Sequence, residues 1–433
     1  TLSRRTKQGI MGFASAYLNK HLQHARHILT APEKNVAIIV IIPAFREPDI
    51  TQTLDSLANC TPPSSKVEII VHVNQPWNAS GMAIKDNQRS IRQIERWQQT
   101  KSTFFHTHLI QHLNIPIKNA GAGYARKIAM DEALYRFNII NNENGIIVSL
   151  DADTLVDENY FIELEHFQKV KQSPVAILHF EHPLSGNKYN LDIYKAITLY
   201  ELHLRYFIQG LKYCGFPYPF HTLGSCVAVK ALAYAKEGGM NKKTAGEDFY
   251  FLHKLFPQGP TTHLVKTTVR PSPRPSDRVP FGTGPAIRQY IRKKELLTYS
   301  PESFSTIHEW FKIAPSLYHL SHHATQEKLK SLPVSLQDFL KNHEFDKKIM
   351  EINQHTSHPA TFQKRLQRKF GAFEIVKYLN YAHQKYFKKK PINEAALELL
   401  SNYGEKTNNI MNNHDLLLEY RKLQKNTLSW NHL

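Results

Sequence analysis

The most constraining feature of the chain is the run Val36–Ile42, which is aliphatic throughout and β-branched at all but one position. The run has the length of a strand and shows no alternation of polar and apolar residues. It therefore predicts a strand that ends at Pro43 and is buried on both of its faces. Because such a strand needs helices above and below it, this segment already favours an α/β fold.

Further strands and helices alternate along the first third of the chain. Strands are predicted at residues 36–42, 67–73, 104–110 and 145–150, and helices at 50–60, 82–99 and 121–137. This alternation is typical of parallel βαβ units, so we expect a mostly parallel sheet flanked by helices. Ligands of such sheets bind beyond the carboxyl ends of the strands, where the candidate site residues are therefore sought.

The 433 residues predict two or three structural units. Residues 1–34 are expected to form a basic helical segment, either packed on its own protein or lying on anionic lipid. An α/β domain is predicted over 35–295, with a basic, proline-rich loop at 270–285, and a helical C-terminal region over 296–433. The longest apolar run, residues 36–44, is nine residues long, whereas a membrane span needs about 20.

The charge of the chain indicates an anionic partner. Lys and Arg number 55 against 37 Asp and Glu, a net charge of +18. A phosphate-bearing small molecule or an acidic membrane surface fits this excess, whereas no nucleic-acid-binding module is recognisable. The three cysteines, Cys60, Cys214 and Cys226, form neither a disulfide nor a zinc pattern. We therefore expect a cytoplasmic protein, with peripheral contact to the inner face of the membrane left open.

The strongest chemical feature is Asp151-Ala152-Asp153, at the end of a predicted buried strand. Alternate residues of an extended chain point the same way, so both carboxylates can face one site. Two carboxylates at close range need a neutralising partner, and Mg²⁺ or Mn²⁺ would also bridge to phosphate oxygens. The alternative is a pair of acidic loop residues in which Asp153 caps the next helix.

A second acidic motif, Gly246-Glu247-Asp248, precedes residues with helical spacing. Adjacent helix positions do not share a face, so the two carboxylates should have different tasks. One could act as a general base toward an incoming hydroxyl group. Alternatively, both acids merely favour the first turn of a helix.

Two glycine-containing segments are candidates for close approach to a ligand. Gly121 and Gly123 precede Arg126 at a predicted helix start, an arrangement that suits an anion or a base edge. The spacing is not that of a nicotinamide-binding or P-loop motif. Gly224 lies in the second segment, His221–Cys226.

Taken in order, these motifs resemble those of the family 2 glycosyltransferases over residues 36–256. The matching segments are Ile42–Glu47, Asn74, Asn119–Arg126, Asp151–Asp153, Leu223–Ser225, Gly238–Gly239 and Gly246–Asp248. The resemblance implies a GT-A fold and an inverting, hexosyltransferase-like transfer from a nucleotide-diphosphate sugar to a hydroxyl acceptor, with a lipid or a glycan as candidate acceptors. It also implies a divalent cation, Mn²⁺ or Mg²⁺.

The resemblance further implies roles for individual residues. Those at the nucleotide sugar would be Pro43, Phe45, Glu47, Asn74, Gly121, Arg126, Asp151 and Gly224. Among them, Arg126 would approach the base and Asp151 the ribose side. Asp153, with Asp151, would hold the metal on the diphosphate. Asp248 would be the catalytic base, with Glu247 as the alternative.

Two departures from the family pattern qualify the prediction. Asn74 stands where an acidic residue is usual, so contacts with the nucleoside at that point are expected to differ. The Q-x-x-R-W signature of processive synthases is missing from the half of the chain in which it is expected, since the matching segment Gln93–Trp97 lies too early, and this favours the addition of a single sugar. Arg274 or Arg278 could clamp the diphosphate, or their loop could be a solvated basic linker.

Two other functions stay open at this stage. A metal-dependent nucleotidyltransferase would also use paired aspartates, but it would leave Glu247 and Asp248 unexplained. A non-enzymatic protein that binds nucleic acid or anionic lipid would explain only the net charge.

Overall fold

The computed structural model describes residues 10–21, 26–242, 246–278, 282–405 and 409–429. Parts of the predicted N-terminal segment (1–9 and 22–25) and of the basic loop (279–281) lie outside these described residues. By packing, the chain forms two compact units. The first comprises Thr1–Asn190, His221–Pro285 and Lys425–Leu433, and the second comprises Leu191–Phe220 and Ala286–Gln424. These units differ from the predicted domains, whose boundaries stay a prediction.

The described part of the first unit contains an eight-stranded sheet in the order β3-β2-β1-β4-β7-β6-β8-β5. The strands are β1 (Val36–Ala44), β2 (Lys66–Pro76), β3 (Phe105–Ile115), β4 (Ile146–Ser149), β5 (Leu155–Val156), β6 (Val175–Phe180), β7 (Val227–Lys230) and β8 (Thr261–Arg270). Neighbouring strands from β3 to β4 are parallel, as are β6 and β8. The pairs β4–β7, β6–β7 and β5–β8 are antiparallel. The sheet is thus mostly parallel, as predicted.

Helices cover the sheet and make up most of the second unit. In chain order they are α1 (Ser15–His21), α2 (Ile50–Ala58), α3 (Gly81–Thr100), α4 (Ala122–Ile139), α5 (Tyr160–Lys169), α6 (Leu191–Tyr213), α7 (Ala231–Lys236), α8 (Glu247–Leu255), α9 (Thr283–Lys293), α10 (Pro301–Ile313), α11 (His322–Lys330), α12 (Val334–Asn342), α13 (Phe345–Gln354), α14 (Pro359–Lys369), α15 (Ala372–Lys385), α16 (Ile392–Asn402) and α17 (Asn413–Ser429). The predicted helical character of the C-terminal region is confirmed.

The core of the first unit lies between β1, β2 and α4. Ile38 to Ile42 are completely buried, as the aliphatic run predicted. Helix α4 is buried along nearly its whole length, so its ionic side chains need internal partners. Arg136, for example, donates through Nη2 to Oε1 of Glu68 on β2 at 2.6 Å. This ion pair holds the last turn of α4 against the beginning of β2.

The described part of the N-terminal segment packs on its own protein. Tyr17 on α1 is buried, and its hydroxyl donates to Oδ1 of Asp131 on α4 at 2.7 Å. Lys127 donates in turn to the Tyr17 hydroxyl oxygen at 2.7 Å. Helix α1 therefore packs on its own protein, which is the first of the two predicted alternatives.

The second unit is helical, with one short antiparallel pair formed by β9 (Leu297–Thr298) and β10 (Lys390–Pro391). Its core contains a satisfied ionic cluster in which Glu201 of α6 accepts from Arg205 at 2.8 Å and from Nη2 of Arg421 at 2.9 Å. Within the described ranges, no helix combines the length and apolar character that crossing a membrane requires.

Candidate active site

The predicted site residues gather at the carboxyl edge of the parallel strands. Because β2, β1 and β4 are neighbours, the residues that follow them meet at one edge. Glu47 lies three residues beyond β1, Asn74 near the end of β2, and Asp151 two residues beyond β4. Topology alone therefore brings three of the predicted positions together.

The aspartate pair lies in a turn just beyond β4 and not, as expected, on extended chain, since the N–H of Thr154 donates to the carbonyl of Asp151 at 3.2 Å. Ala152 is buried, and its carbonyl accepts from Oγ1 of Thr53 at 2.9 Å. Asp151 and Asp153 on either side of it are partly exposed. The turn therefore leaves both aspartates partly exposed while the alanine between them is buried.

One guanidinium group links this pair to the second acidic motif. Nη2 of Arg126 lies 2.6 Å from Oδ1 of Asp151, and Nη1 donates to Oε1 of Glu247. Burial opposes the charge of Arg126, but the adjacent carboxylates outweigh it and raise the pKa of this arginine above its usual value. Arg126 is therefore a permanent cation at the centre of the acidic residues.

Gly224 makes the position of Arg126 sterically feasible. A Cβ atom at residue 224 would lie 2.4 Å from Nη2 of Arg126, closer than any side chain tolerates. The segment that contains Gly224 was predicted to approach a ligand closely. In the structure its close neighbour is the arginine.

Glu247 and Asp248 occupy different environments at the start of α8. The helix follows Gly246, whose φ of 70° is left-handed and favours glycine. Glu247 is buried against Arg126, whereas Asp248 is partly exposed. Oδ1 of Asp248 accepts from the backbone N–H of Phe249 at 2.7 Å. Burial raises the pKa of Asp248 to about 6, with Arg126 opposing the rise and Glu247 adding to it.

The basic loop lies against the acidic edge through two arginines. Nη2 of Arg274 is 2.6 Å from Oε2 of Glu47 and 3.1 Å from Oδ2 of Asp153. Arg278 donates through Nη1 to Oε1 of Glu47 and, at 2.9 Å, to the carbonyl of Phe45. Because Glu47 is only 5% exposed, it needs this compensation. The two arginines thus form a cationic cover over Glu47 and Asp153.

The carboxylate of Asp153 is not fully compensated by its neighbours. Burial raises its pKa to about 6, against the opposing effect of Arg274 and with a further rise from Asp151. Among the described residues, no group of three or more His, Cys, Asp or Glu side chains is placed to hold a metal ion. Of the predicted residues, Asp151 and Asp153 are the pair that could hold Mg²⁺ or Mn²⁺, provided that phosphate oxygens and water completed the shell.

The remaining predicted residues lie around this centre. Pro43 and Phe45 are partly exposed. Nδ2 of Asn74 is 3.4 Å from the carbonyl oxygen of Gly121, so the end of β2 meets the start of α4. The placement of these four residues fits the predicted nucleotide pocket, and their individual roles stay predictions.

Sequence reasoning missed the contribution of Asn87. Its side chain is buried on α3, accepts from the backbone N–H of Arg46 at 2.8 Å and donates to Oε1 of Gln75 at 3.1 Å. Arg46 has a positive φ of 56°, so this bond holds an uncommon turn just before Glu47. The signal in the sequence is an asparagine at a core-facing position of an amphipathic helix.

A family model covers the part of the chain that carries both acidic motifs. Residues 146–335 match the model described as glycosyl transferase family group 2. This match confirms the resemblance to family 2 glycosyltransferases and the predicted class of enzyme, a glycosyltransferase. The mostly parallel sheet with flanking helices agrees with the GT-A fold that the resemblance implied.

Solved structures show more distant likenesses. A crystal structure of S. aureus TarS residues 1–349 with UDP-GlcNAc is 12% identical, with a TM-score of 0.40 over 77% of this chain and 91% of that one. The mannosyltransferase PcManGT from Pyrobaculum calidifontis, in complex with GDP-Man and Mn²⁺, is 14% identical, with a TM-score of 0.38 over 97% and 93% of the two chains. None of the curated protein sequences compared with this chain matches it.

Proposed function

We propose that the protein transfers a single sugar from a nucleotide-diphosphate sugar to a hydroxyl group, with inversion at the anomeric carbon. Asp248 acts as the general base, and Asp153 together with Asp151 holds Mn²⁺ or Mg²⁺ at the diphosphate. The observation that carries this proposal is the contrast between Glu247, which is neutralised by Arg126, and its neighbour Asp248.

The choice of Asp248 as the base follows from that contrast. A carboxylate that serves as a base must be reachable by the acceptor and free to take its proton. Glu247 is buried and its Oε1 atom is engaged by Arg126, so an acceptor cannot reach it as readily. Asp248 is partly exposed, and no described residue donates to its Oδ2 atom. Oδ2 can therefore accept the proton of an incoming hydroxyl group.

The part of the site formed by Asp153, Arg274 and Arg278 suits the leaving diphosphate. Guanidinium groups bind phosphate oxygens in bidentate fashion, and Arg274 and Arg278 lie directly over Asp153. A bound Mn²⁺ or Mg²⁺ would supply positive charge for the departing diphosphate. The carboxylates of Asp151 and Asp153 would hold that ion, and Arg126 would keep Asp151 in position.

A single displacement accounts for inversion. As the acceptor oxygen bonds to the anomeric carbon, the bond from that carbon to the diphosphate breaks and the hydroxyl proton passes to Asp248. No carboxylate has to act as a nucleophile. The Q-x-x-R-W pattern at Gln93–Trp97 lies in the wrong half of the chain for the signature of processive synthases, which supports one addition per encounter over processive synthesis.

Analysis of the nucleotide product tests this function. The protein is incubated with Mn²⁺ and a panel of UDP, GDP, ADP and dTDP sugars, with simple glycosides and polyprenyl phosphates as acceptors. We expect free nucleoside diphosphate from one donor class and an inverted anomeric configuration in the glycoside. Asp248→Asn should lose this activity, whereas Asp338→Asn, in the second unit, should keep it. Release of pyrophosphate, or a retained configuration, would overturn the proposal.

A further inference from the structure

The outer face of α3 carries a row of four cations that form no ion pair with the described residues. We call it the basic row; it consists of Lys85, Arg89, Arg92 and Arg96. Spacings of four, three and four residues place all of them on one side of the helix, over about 16 Å of its length. All four side chains are exposed, and none has a carboxylate within ion-pair distance among the described residues.

The other charges of α3 do not neutralise this row. Asp86 is directed to Arg46, with Oδ2 3.6 Å from its Nε atom. Glu95 is exposed and is the only other acidic residue of the helix. The face therefore has a strong positive charge that is open to an anionic partner.

Large apolar side chains are exposed next to the start of this helix. We call them the apolar tip; the exposed fractions are 68% for Met82, 63% for Trp77, 51% for Ile117 and 37% for Leu113. Hydrogen bonds join the ends of β2 and β3, on which Trp77 and Leu113 lie. The N–H of Trp77 donates to the carbonyl of Ile115 at 2.9 Å, and Nε2 of Gln75 donates to the carbonyl of Leu113 at 3.2 Å.

The apolar tip lies on the same edge of the sheet as the candidate active site. Trp77 follows β2 directly, just as Asp151 follows β4, and the parallel strands β2, β1 and β4 are neighbours. From this edge the basic row continues along the outside of α3. A flat anionic surface that contacts both features would therefore face the edge at which the sugar is transferred.

We propose that the basic row and the apolar tip form a docking face for an anionic phospholipid membrane. The row matches the negative charge of phospholipid headgroups, and the tip offers a tryptophan and aliphatic side chains for the boundary between headgroups and acyl chains. Nucleic acid would match the row but would leave the aliphatic part of the tip exposed to water. The lipid surface is therefore the partner that uses both features.

The helix docks on the membrane from outside and does not insert. Its opposite face is occupied, because Ala83, Ile91, Ile94 and Trp97 are buried. Ser80 caps the helix and accepts from the N–H of Ala83, which fixes the start of α3 and with it Met82. Only the tip is free to enter the headgroup region. This interaction does not depend on the proposed chemistry, although it would favour a membrane-borne acceptor.

Co-sedimentation with vesicles tests the docking face. The full chain is mixed with phosphatidylcholine vesicles that contain either no phosphatidylserine or about one-fifth of it, at physiological salt. Each cation near such a surface strengthens binding about fivefold. The variant with Lys85, Arg89, Arg92 and Arg96 all changed to Gln should therefore bind the anionic vesicles more than tenfold more weakly. Because these side chains are exposed, its unfolding temperature should stay unchanged.

A second basic helix provides the matched control. Helix α14 also carries four exposed cations, Lys364, Arg365, Arg368 and Lys369. Their replacement by Gln removes the same charge and should leave vesicle binding within about twofold. Equal losses in the two variants would show attraction by net charge alone and overturn the proposal. Binding of the wild type to duplex DNA but not to vesicles would also overturn it and indicate nucleic acid.

Contact between the apolar tip and lipid can be measured separately, through the fluorescence of Trp77. Transfer of Trp77 from water to the headgroup region should shift the tryptophan emission to shorter wavelength when anionic vesicles are added. The measurement is made in a Trp430→Phe background, in which Trp77→Phe should abolish that shift, since the other two tryptophans, Trp97 and Trp310, are buried. A shift that persists in Trp77→Phe would show that the tip does not touch the lipid.

Discussion

Nη2 of Arg126 lies 2.6 Å from Oδ1 of Asp151, and the other terminal nitrogen of the same guanidinium donates to Glu247. One cation therefore joins the end of β4 to the first turn of α8. It compensates the carboxylates of Asp151 and Glu247, whereas Asp248 beside them keeps a raised pKa. Arg126 therefore organises the acidic residues of the site, whereas Asp248 is the proposed proton acceptor.

Changing Gly224 to alanine should impair catalysis by displacing Arg126. The new Cβ atom would meet Nη2 of Arg126 at 2.4 Å, so the guanidinium must leave its bonds to Asp151 and Glu247. We expect kcat/KM for donor turnover to fall at least tenfold. Gly81→Ala is the matched control, because a Cβ there has no neighbour within 4 Å. Equal activity of the two variants would contradict the role of this contact.

The two acids of α8 should respond differently to replacement by their amides. Asp248→Asn should lower kcat by about 10²–10⁴-fold and leave donor affinity nearly unchanged, since only proton transfer is lost. Glu247→Gln breaks a buried ion pair and should lower the free energy of unfolding by about 3 kcal/mol. Steady-state kinetics and denaturant unfolding of both variants measure these effects. A fully active Asp248→Asn would reassign the base.

The turnover rate should depend on pH through Asp248. Its pKa is raised to about 6, so the carboxylate is ionised above that pH and protonated below it. A base works only when ionised, so kcat at saturating donor and Mn²⁺ should be constant at neutral pH. Below pH 6 it should fall about tenfold per pH unit. A kcat that stays constant down to pH 4.5 would mean that another group accepts the proton.

Arg274 and Arg278 should contribute to donor binding. Replacement of either by Gln should raise the KM for the donor about tenfold or more. Lys should restore little, because a point charge cannot make the bidentate contact with phosphate. Arg270→Gln is a suitable control: Arg270 lies at the end of β8 and pairs with Asp157 at 2.8 Å. A KM increase that is equally large in all three variants would indicate a general effect of charge.

The sequence predicted those parts of the fold and site that depend on local pattern. The run 36–42 could be identified as a buried strand because its apolar character is uninterrupted, and Asp151 and Asp153 could be singled out because they directly follow a predicted buried strand. Gly246 marked the start of α8, because it directly precedes residues with helical spacing.

Contacts between distant segments could not be predicted in this way. Arg126 and Glu247 are 121 positions apart, and nothing in either motif specifies the other. The same holds for Asn87 and the backbone of Arg46. Helix α6 shows a further limit, because local pattern does not say that this segment packs within the second unit.

Thermal unfolding with nucleotides tests the central claim most directly. Wild type, Asp153→Asn and the control Asp338→Asn are measured with a panel of nucleoside diphosphates and nucleotide sugars, with and without Mn²⁺. A ligand at 100 times its Kd adds about 2.7 kcal/mol to the free energy of unfolding. We predict a Mn²⁺-dependent rise in unfolding temperature with the nucleotides of one base, present in the control and lost in Asp153→Asn. The absence of a rise with every nucleotide, or a rise that Asp153→Asn retains, would contradict the account.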